Sequence, residues 1–170
     1  MAEVLGYRLQ AVRNLYGWSQ RELARRAGVP HSAISVIEHD DVSPSIASLE
    51  KILAGFPLAL NDFFSLSFDP KGMVCVVDQN SPGGTHLNGL SGVSGSGQLS
   101  LLSGTHKSTA APMLARGLAV LLVVEGDACI QTFAADRHLK RGDSVVFNGV
   151  ILYRLKACST DFRWSLGQLC

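Results

Sequence analysis

The side chains best suited to recognition chemistry lie between Gln20 and Ser43. On a helix running from about Pro30 to Glu38, Ser32, Ser35, Val36 and His39 share one stripe, with His31 at its entrance, while Ala33, Ile34 and Ile37 share the opposite one. The first stripe is small and mostly hydrogen-bonding; the second is apolar. A helix that enters the major groove of DNA must be slim and must offer donors and acceptors near its N-terminus. An ordinary surface helix would carry more Lys and Glu there. The pattern therefore points to base-edge contacts from His31, Ser32 and Ser35, and to Val36 against a thymine methyl. Gln20, Arg21 and Ser43 suit phosphate oxygens, together with the backbone N–H groups of the helix that Ser19 opens.

Such a helix needs elements to hold it. Ser19 and Glu22 have the spacing of a capping box, Leu23 and Ala27 share a helical face, and Gly28 ends that helix. After the Gly28-Val29 turn, Pro30 supplies the preset φ of a first helical position. Ala24 falls where two helices approach closely, so the pair reads as a helix-turn-helix. Leu5, Leu9, Val12 and Tyr16 predict a preceding helix that ends near Gly17. Ser43-Pro44 predicts a cap and first position for a helix over Pro44–Ala54, with Ile46, Leu49, Ile52 and Leu53 as its apolar stripe and Gly55 as its stop. Pro57 breaks the chain again, and Leu60–Phe64, with Asn61 as cap, completes a five-helix bundle around one core.

The pattern S-Q-x-x-L-A-x-x-x-G-V-x-x-x-x-I-S-x-I-E from Ser19 to Glu38 resembles the lambda-repressor and Cro superfamily, the XRE-type domain. The continuation HSAISVIEHDDVSPSIASLEKIL, with LxLNDFF at Leu58–Phe64, most resembles the putrescine-utilisation repressor group, in which this domain is joined to a C-terminal cupin. The resemblance covers residues 4–65. It implies a structural ion pair between Arg13 and Glu38, and a homodimer that represses by occupying double-stranded DNA at an inverted-repeat operator. Pro30 stands where the superfamily often has Ser or Thr, so a hydroxyl contact is absent there.

Composition sets the limits. Apolar residues make up 46% and charged residues 17%, which indicates a folded chain rather than a disordered one. The net charge of +1 excludes bulk electrostatic attraction as the source of DNA affinity. Binding must come from a local basic edge, for which Arg21, Arg25 and Arg26 are the candidates. Glu3 and Arg8 precede any apolar run that would make a signal peptide, and the longest such run, Leu118–Val124, is too short to span a bilayer. A cytoplasmic protein with no membrane contact is expected. The four cysteines, Cys75, Cys129, Cys158 and Cys170, have no C-x-x-C spacing and read as reduced and structural.

The second half is a different material. Residues 67–110 form a Gly/Ser-rich connection in which His86–Leu90 and Gln98–Leu102 alternate well enough to be the first strands; residues 111–170 hold the clearer ones. Leu118–Val124, Ala128–Phe133, Ser144–Phe147, Val150–Lys156 and Phe162–Leu169 are short runs separated by turns, as in a sandwich or barrel. Glu125-Gly126 and L-x-x-G-D-S-x-x-F at Leu139–Phe147 resemble the cupin pattern. The fold class is thus α + β with two domains: a five-helix bundle over residues 1–66, then an antiparallel β-barrel of the cupin or jelly-roll type.

Cupin enzymes hold a divalent metal with histidines and a carboxylate, which suit an open catalytic site. The corresponding stretches here read STAAPMLARGLAV and NGVILYRL, and the spacing of His86, His106 and His138 matches no ligand cluster. No metal, no cofactor and no enzymatic activity are expected, and no G-x-S-x-G motif suggests a hydrolase. A metal-free barrel still serves to bind a small-molecule effector in its mouth or to pair with a second copy. Arg116, Cys129, Arg137, His138, Tyr153 and Arg154 are the candidates for such a mouth, and the scarcity of acids between Lys140 and Lys156 favours an anionic ligand over a polyamine. The competing readings are an antitoxin-type protein that binds a protein partner, and, third, a metal-dependent cupin enzyme fused to a DNA-binding domain.

Overall fold

Leu9, Val12, Leu15 and Tyr16 turn one face of helix α1 (Leu5–Tyr16) into the core, and Gly17, at φ 71°, closes it. In the computed structural model, which describes residues 5–68, 74–77, 99–105, 111–133 and 136–169, α1 is followed by α2 (Gln20–Ala27), α3 (His31–Glu38), α4 (Ile46–Leu53) and α5 (Leu60–Ser65). The Ser19 hydroxyl accepts from the Glu22 N–H at 3.2 Å, so one half of the capping box forms. The other half does not, because the Glu22 carboxylate turns to Arg25 and Arg26 instead of reaching back. Gly28 ends α2 in the left-handed region, at φ 62° and ψ 38°, which a side chain would strain.

Two expected boundaries move. Pro30 has ψ 144°, so it precedes α3 as its cap rather than opening it, and its carbonyl accepts from the Ala33 N–H at 3.1 Å. The cap of α4 is Ser45 rather than Ser43, since the Ser45 hydroxyl is the one that reaches the Ser48 N–H. Ile46, expected in the apolar stripe of α4, is 70% exposed, while Leu49, Ile52 and Leu53 are buried. Asn61 lies inside α5 and caps nothing; the cap position is Ala59. The C-terminal end of α5 is secured instead by Arg8, which donates to the carbonyls of Phe63, Phe64 and Leu66 at 2.8 to 2.9 Å. A cation there also offsets the negative end of the helix dipole.

The chain divides into two units, Met1–Leu66 and Ser67–Cys170. The second unit comprises β1 (Val74–Val77), β2 (Leu99–Thr105), β3 (Met113–Ala115), β4 (Leu118–Glu125), β5 (Asp127–Gln131), β6 (Asp136–Lys140), β7 (Ser144–Asn148), β8 (Ile151–Ala157) and β9 (Arg163–Leu169). A five-stranded sheet has the order β1-β7-β4-β9-β2 and a four-stranded sheet the order β3-β8-β5-β6, with every pairing antiparallel. Alternation along β4 sends Ala119, Leu121 and Val123 inward to meet Ala128, Ile130, Leu139, Tyr153 and Leu155 of the other sheet. Five helices followed by two antiparallel sheets around one core is the expected fold class.

Strands β1 and β2 pair with β7 and β9, so strands from both sides of residue 110 share one sheet. The run at Gln98–Leu102 is observed as β2, shifted towards the C-terminus. The strand expected at His86–Leu90 lies outside the described residues. Three strands went unpredicted: β1, β3 and β6. In β6, DRHLK buries only Leu139, so no alternation of hydrophobicity marks it.

In the helical unit the backbones of α1 and α3 approach closely at Gly6. A Cβ there would lie 2.3 Å from the Ile37 carbonyl and 2.9 Å from that of Glu38, so the α1 backbone sits directly against the end of α3. The Gly6 N–H donates to Asp40 Oδ1 at 2.9 Å across the same contact. Replacing Gly6 with Ala must push α1 off α3, with a loss of about 1 to 3 kcal/mol. Urea unfolding of Gly6→Ala should show a lowered midpoint; an unchanged midpoint would mean that the two helices are not in contact.

Candidate nucleic-acid interface

Glu38 ends α3, and its carboxylate is buried: the side chains of Arg13 and Glu38 are 10% and 0% exposed. Arg13 meets it with two parallel bonds, Nε to Oε1 at 2.6 Å and Nη2 to Oε2 at 2.8 Å, and spends Nη1 on the Trp18 carbonyl at 2.7 Å and Asn14 Oδ1 at 3.0 Å. Gln20 Nε2 donates to the second Glu38 oxygen at 2.9 Å. Through Arg13 and Gln20 this carboxylate ties α1 and the start of α2 to the end of α3, and Arg13 also holds the α1–α2 turn at the Trp18 carbonyl. The ion pair implied by resemblance is present, and the part played by Gln20 and Trp18 had no signal in the sequence beyond their place in the pattern.

With Ile34 and Ile37 buried on one side, the opposite face of α3 is turned outward. His31, Ser32 and His39 are exposed, and Ser35 and Val36 are partly so. The N-terminus of α3 has no side-chain cap, which leaves its first N–H groups for an anion. His39 Nδ1 lies 2.7 Å from the Ser35 carbonyl, so one ring nitrogen holds the ring to the helix and the other points away from that bond. Val36 does not face outward alone; it lines a groove of about 350 Å³ with Val29, Val42, Pro44 and Lys51. Ser43 is exposed in the turn before α4.

The basic edge is smaller than the sequence suggests. Arg25 and Arg26 both bind Glu22, at 2.8 and 2.7 Å, and the Arg26 guanidinium lies 4.1 Å from the centre of the Trp18 ring. Trp18 stacks on Phe56 at 5.1 Å, so Arg26 is drawn into an aromatic cluster. Hydrogen bonds from Arg25, then Arg26, lower the Glu22 carboxyl to about 2. Because that value lies below the ordinary 4.5, the small support that this exposed pairing gives the fold is full above the usual carboxylate range and declines as pH falls from there through about 2. Arg21 is exposed on the first turn of α2 and makes no ion pair among the described residues.

In the β unit the residues expected to line an effector mouth do not converge. Tyr153 is fully buried and stacks on Phe147 at 4.7 Å, with burial pushing its phenol well up. Its neighbour Arg154 leaves the opposite face of β8, and Cys129 and His138, register partners on β5 and β6, lie outward of the buried Ala128, Ile130 and Leu139. Arg116 and Arg137 are exposed. Strand alternation is the cause: a run that is half buried cannot send consecutive residues to one side. The outer face does gather Asp127, His138 and Cys158, whose ligand atoms lie within 4.8 Å of one another. His138 thus joins a cluster that spacing in the sequence did not reveal, while His86, His106 and Cys170 lie outside the described residues.

Removing one partner of a buried ion pair strands the other charge, at a cost of about 3 to 5 kcal/mol. Glu38→Ala and Arg13→Ala should each show that loss by urea unfolding. The double variant should lose less than the sum of the two, and strict additivity would mean that the pair does not act as a unit.

The helix-turn-helix family matches residues 9–63. Over 151 residues, 84% of this chain and 82% of the relative, the sequence is 31% identical to the HTH-type transcriptional regulator PuuR of Escherichia coli K12. Over 65 residues, 38% of this chain and 36% of the relative, it is 34% identical to the regulator SutR of the same organism. An HTH_3-family transcriptional regulator from Vibrio cholerae covers 96% of this chain and 94% of its own at 17% identity, with a TM-score of 0.34, below the level at which a shared fold follows. The identity to PuuR over most of both chains, together with the helix pair and its buried junction, places this chain in the family of helix-turn-helix DNA-binding transcriptional regulators.

Proposed function

We propose that this regulator is a repressor that binds an inverted-repeat operator as a homodimer, each copy laying α3 in one of two successive major grooves roughly 34 Å apart. The observation that carries this reading is the outward face of α3, held by the buried Arg13, Glu38 and Gln20 junction. His31, Ser32 and Ser35 meet base edges and His39 adds its remaining ring nitrogen. Val36, partly turned into its groove, offers a methyl edge. Arg21 and Ser43 take phosphates, and Gln20 keeps one amide N–H for the same purpose while Glu38 fixes its orientation. Occupying a promoter in this way is repression by occlusion and needs no catalysis. The site of action is the cytoplasm, where the DNA is; among the described residues no helix is long and apolar enough to cross a membrane.

The β unit supplies the dimer contact. On β4, the central strand of the five-stranded sheet, the outward residues Val120, Leu122 and Val124 are 38%, 39% and 44% exposed. A water-facing sheet surface ordinarily alternates to polar residues, and an apolar row at its centre suits burial against a second copy. Sensing of an effector has less support, because the residues expected at its mouth are divided between the interior and the outer face.

Two variants test the reading. Leu122→Asp should turn the dimer into a monomer in sedimentation and abolish the preference for an inverted repeat over a single half-site; a dimer that persists would move the interface elsewhere. His31→Ala should weaken operator binding by about 1 to 3 kcal/mol and relax preference at one position. An unchanged binding profile would remove His31 from the interface.

A further inference from the structure

We propose that Asp127, His138 and Cys158 form a binding site for a zinc-like divalent cation on the outer face of the β unit. The three come from separate segments: Asp127 opens β5, His138 is in β6, and Cys158 follows β8. Register brings them together. Cys129 pairs with His138, which sets His138 diagonally across from Asp127, while the Cys158 N–H donates to the Asp127 carbonyl at 2.9 Å and so places Cys158 opposite it. His138 Nε2 already lies 3.0 Å from Asp127 Oδ2, and the three ligand atoms fall within 4.8 Å of one another. Tetrahedral ligands at metal distances of about 2.0 to 2.3 Å stand roughly 3.3 to 3.8 Å apart, so His138 and Asp127 exchange their hydrogen bond for the ion and open slightly while Cys158 closes in, small movements for side chains that are half exposed or exposed.

The donor set chooses the ion. One thiolate, one imidazole and one carboxylate suit zinc, whereas magnesium and calcium take oxygen ligands. The backbone beneath them is held firmly. Gly126 turns at φ 71°, a Cβ on it would lie 2.2 Å from Ser159 Oγ, and Ser159 Oγ accepts from the Asp127 N–H at 2.9 Å. Ligand backbones are thus fixed while ligand side chains stay accessible, leaving a fourth position open to solvent. Cys129, the register partner of both His138 and Lys156, lies on the same face as a neighbouring thiol. The ion would tie the turn after β8 to β5 and β6.

The full-length protein, stripped with a chelator and titrated with Co²⁺ and then Zn²⁺, tests the site. The expected result is a single cobalt per chain with a thiolate-to-cobalt charge-transfer band, displaced by zinc, and protection of Cys158 from alkylation. Cys158→Ser should abolish the band, His138→Ala and Asp127→Asn should each weaken binding roughly 10-fold or more, and Cys129→Ser should leave the band in place. All are exposed or half-exposed positions, and an unchanged far-ultraviolet circular dichroism spectrum confirms that each variant is folded. No cobalt uptake, a band that survives Cys158→Ser, or unaltered Cys158 alkylation would overturn the proposal.

Discussion

The helical unit depends on the buried bond between Arg13 and Glu38. An acid at the C-terminal end of a helix is poorly placed with respect to the helix dipole, and a buried acid without a partner is worse. Arg13 answers both by meeting the carboxylate with two N–H groups and giving the two of Nη1 to Trp18 and Asn14. Because the carboxylate's partners come from α1 and the start of α2, and Arg13 also holds the turn between them, the orientation of α3 is set by directional bonds as well as by the packing of Ile34 and Ile37. Gly6 then brings the α1 backbone against the same end of the helix. The inward face of α3 is thus fully specified, and the outward one is the face proposed to meet DNA.

This arrangement suits a protein with little charge to spare. Its net charge is +1, and two of the three arginines on α2 are already held by Glu22. Long-range attraction to a phosphate backbone is therefore weak, and affinity has to come from a few placed contacts, which the proposed dimer would repeat by symmetry. A second copy doubles those contacts without adding a basic patch. The apolar row on β4 is the surface proposed to recruit one.

The helices were largely legible because glycine, proline and apolar spacing act locally. Gly17 and Gly28 end α1 and α2 where their φ values require it, and the buried stripes follow the 3.6 period. What failed locally failed by competition among neighbours: Ser43 and Ser45 are both good caps, and only geometry shows which hydroxyl reaches an N–H. The Arg13 and Glu38 pair was legible through resemblance alone, while Gln20 and Gly6 contribute through contacts between helices distant in sequence. In the β unit the strong alternating runs were legible and DRHLK was not, since a strand with one buried residue carries no period. The grouping of Asp127, His138 and Cys158 depends on register across three segments, which no spacing in the sequence encodes.

In the proposed account the two units carry separate parts: α3 would read bases, and the β unit would bring a second α3 to the same face of the duplex. Protection of guanine N7 from methylation on an operator fragment tests that claim most directly, because N7 lies in the major groove. The account predicts two patches of protected guanines about 10 base pairs apart on one face of the DNA, both present when the full-length protein binds. Backbone protection with every N7 still reactive, or a single patch at saturation, would contradict it.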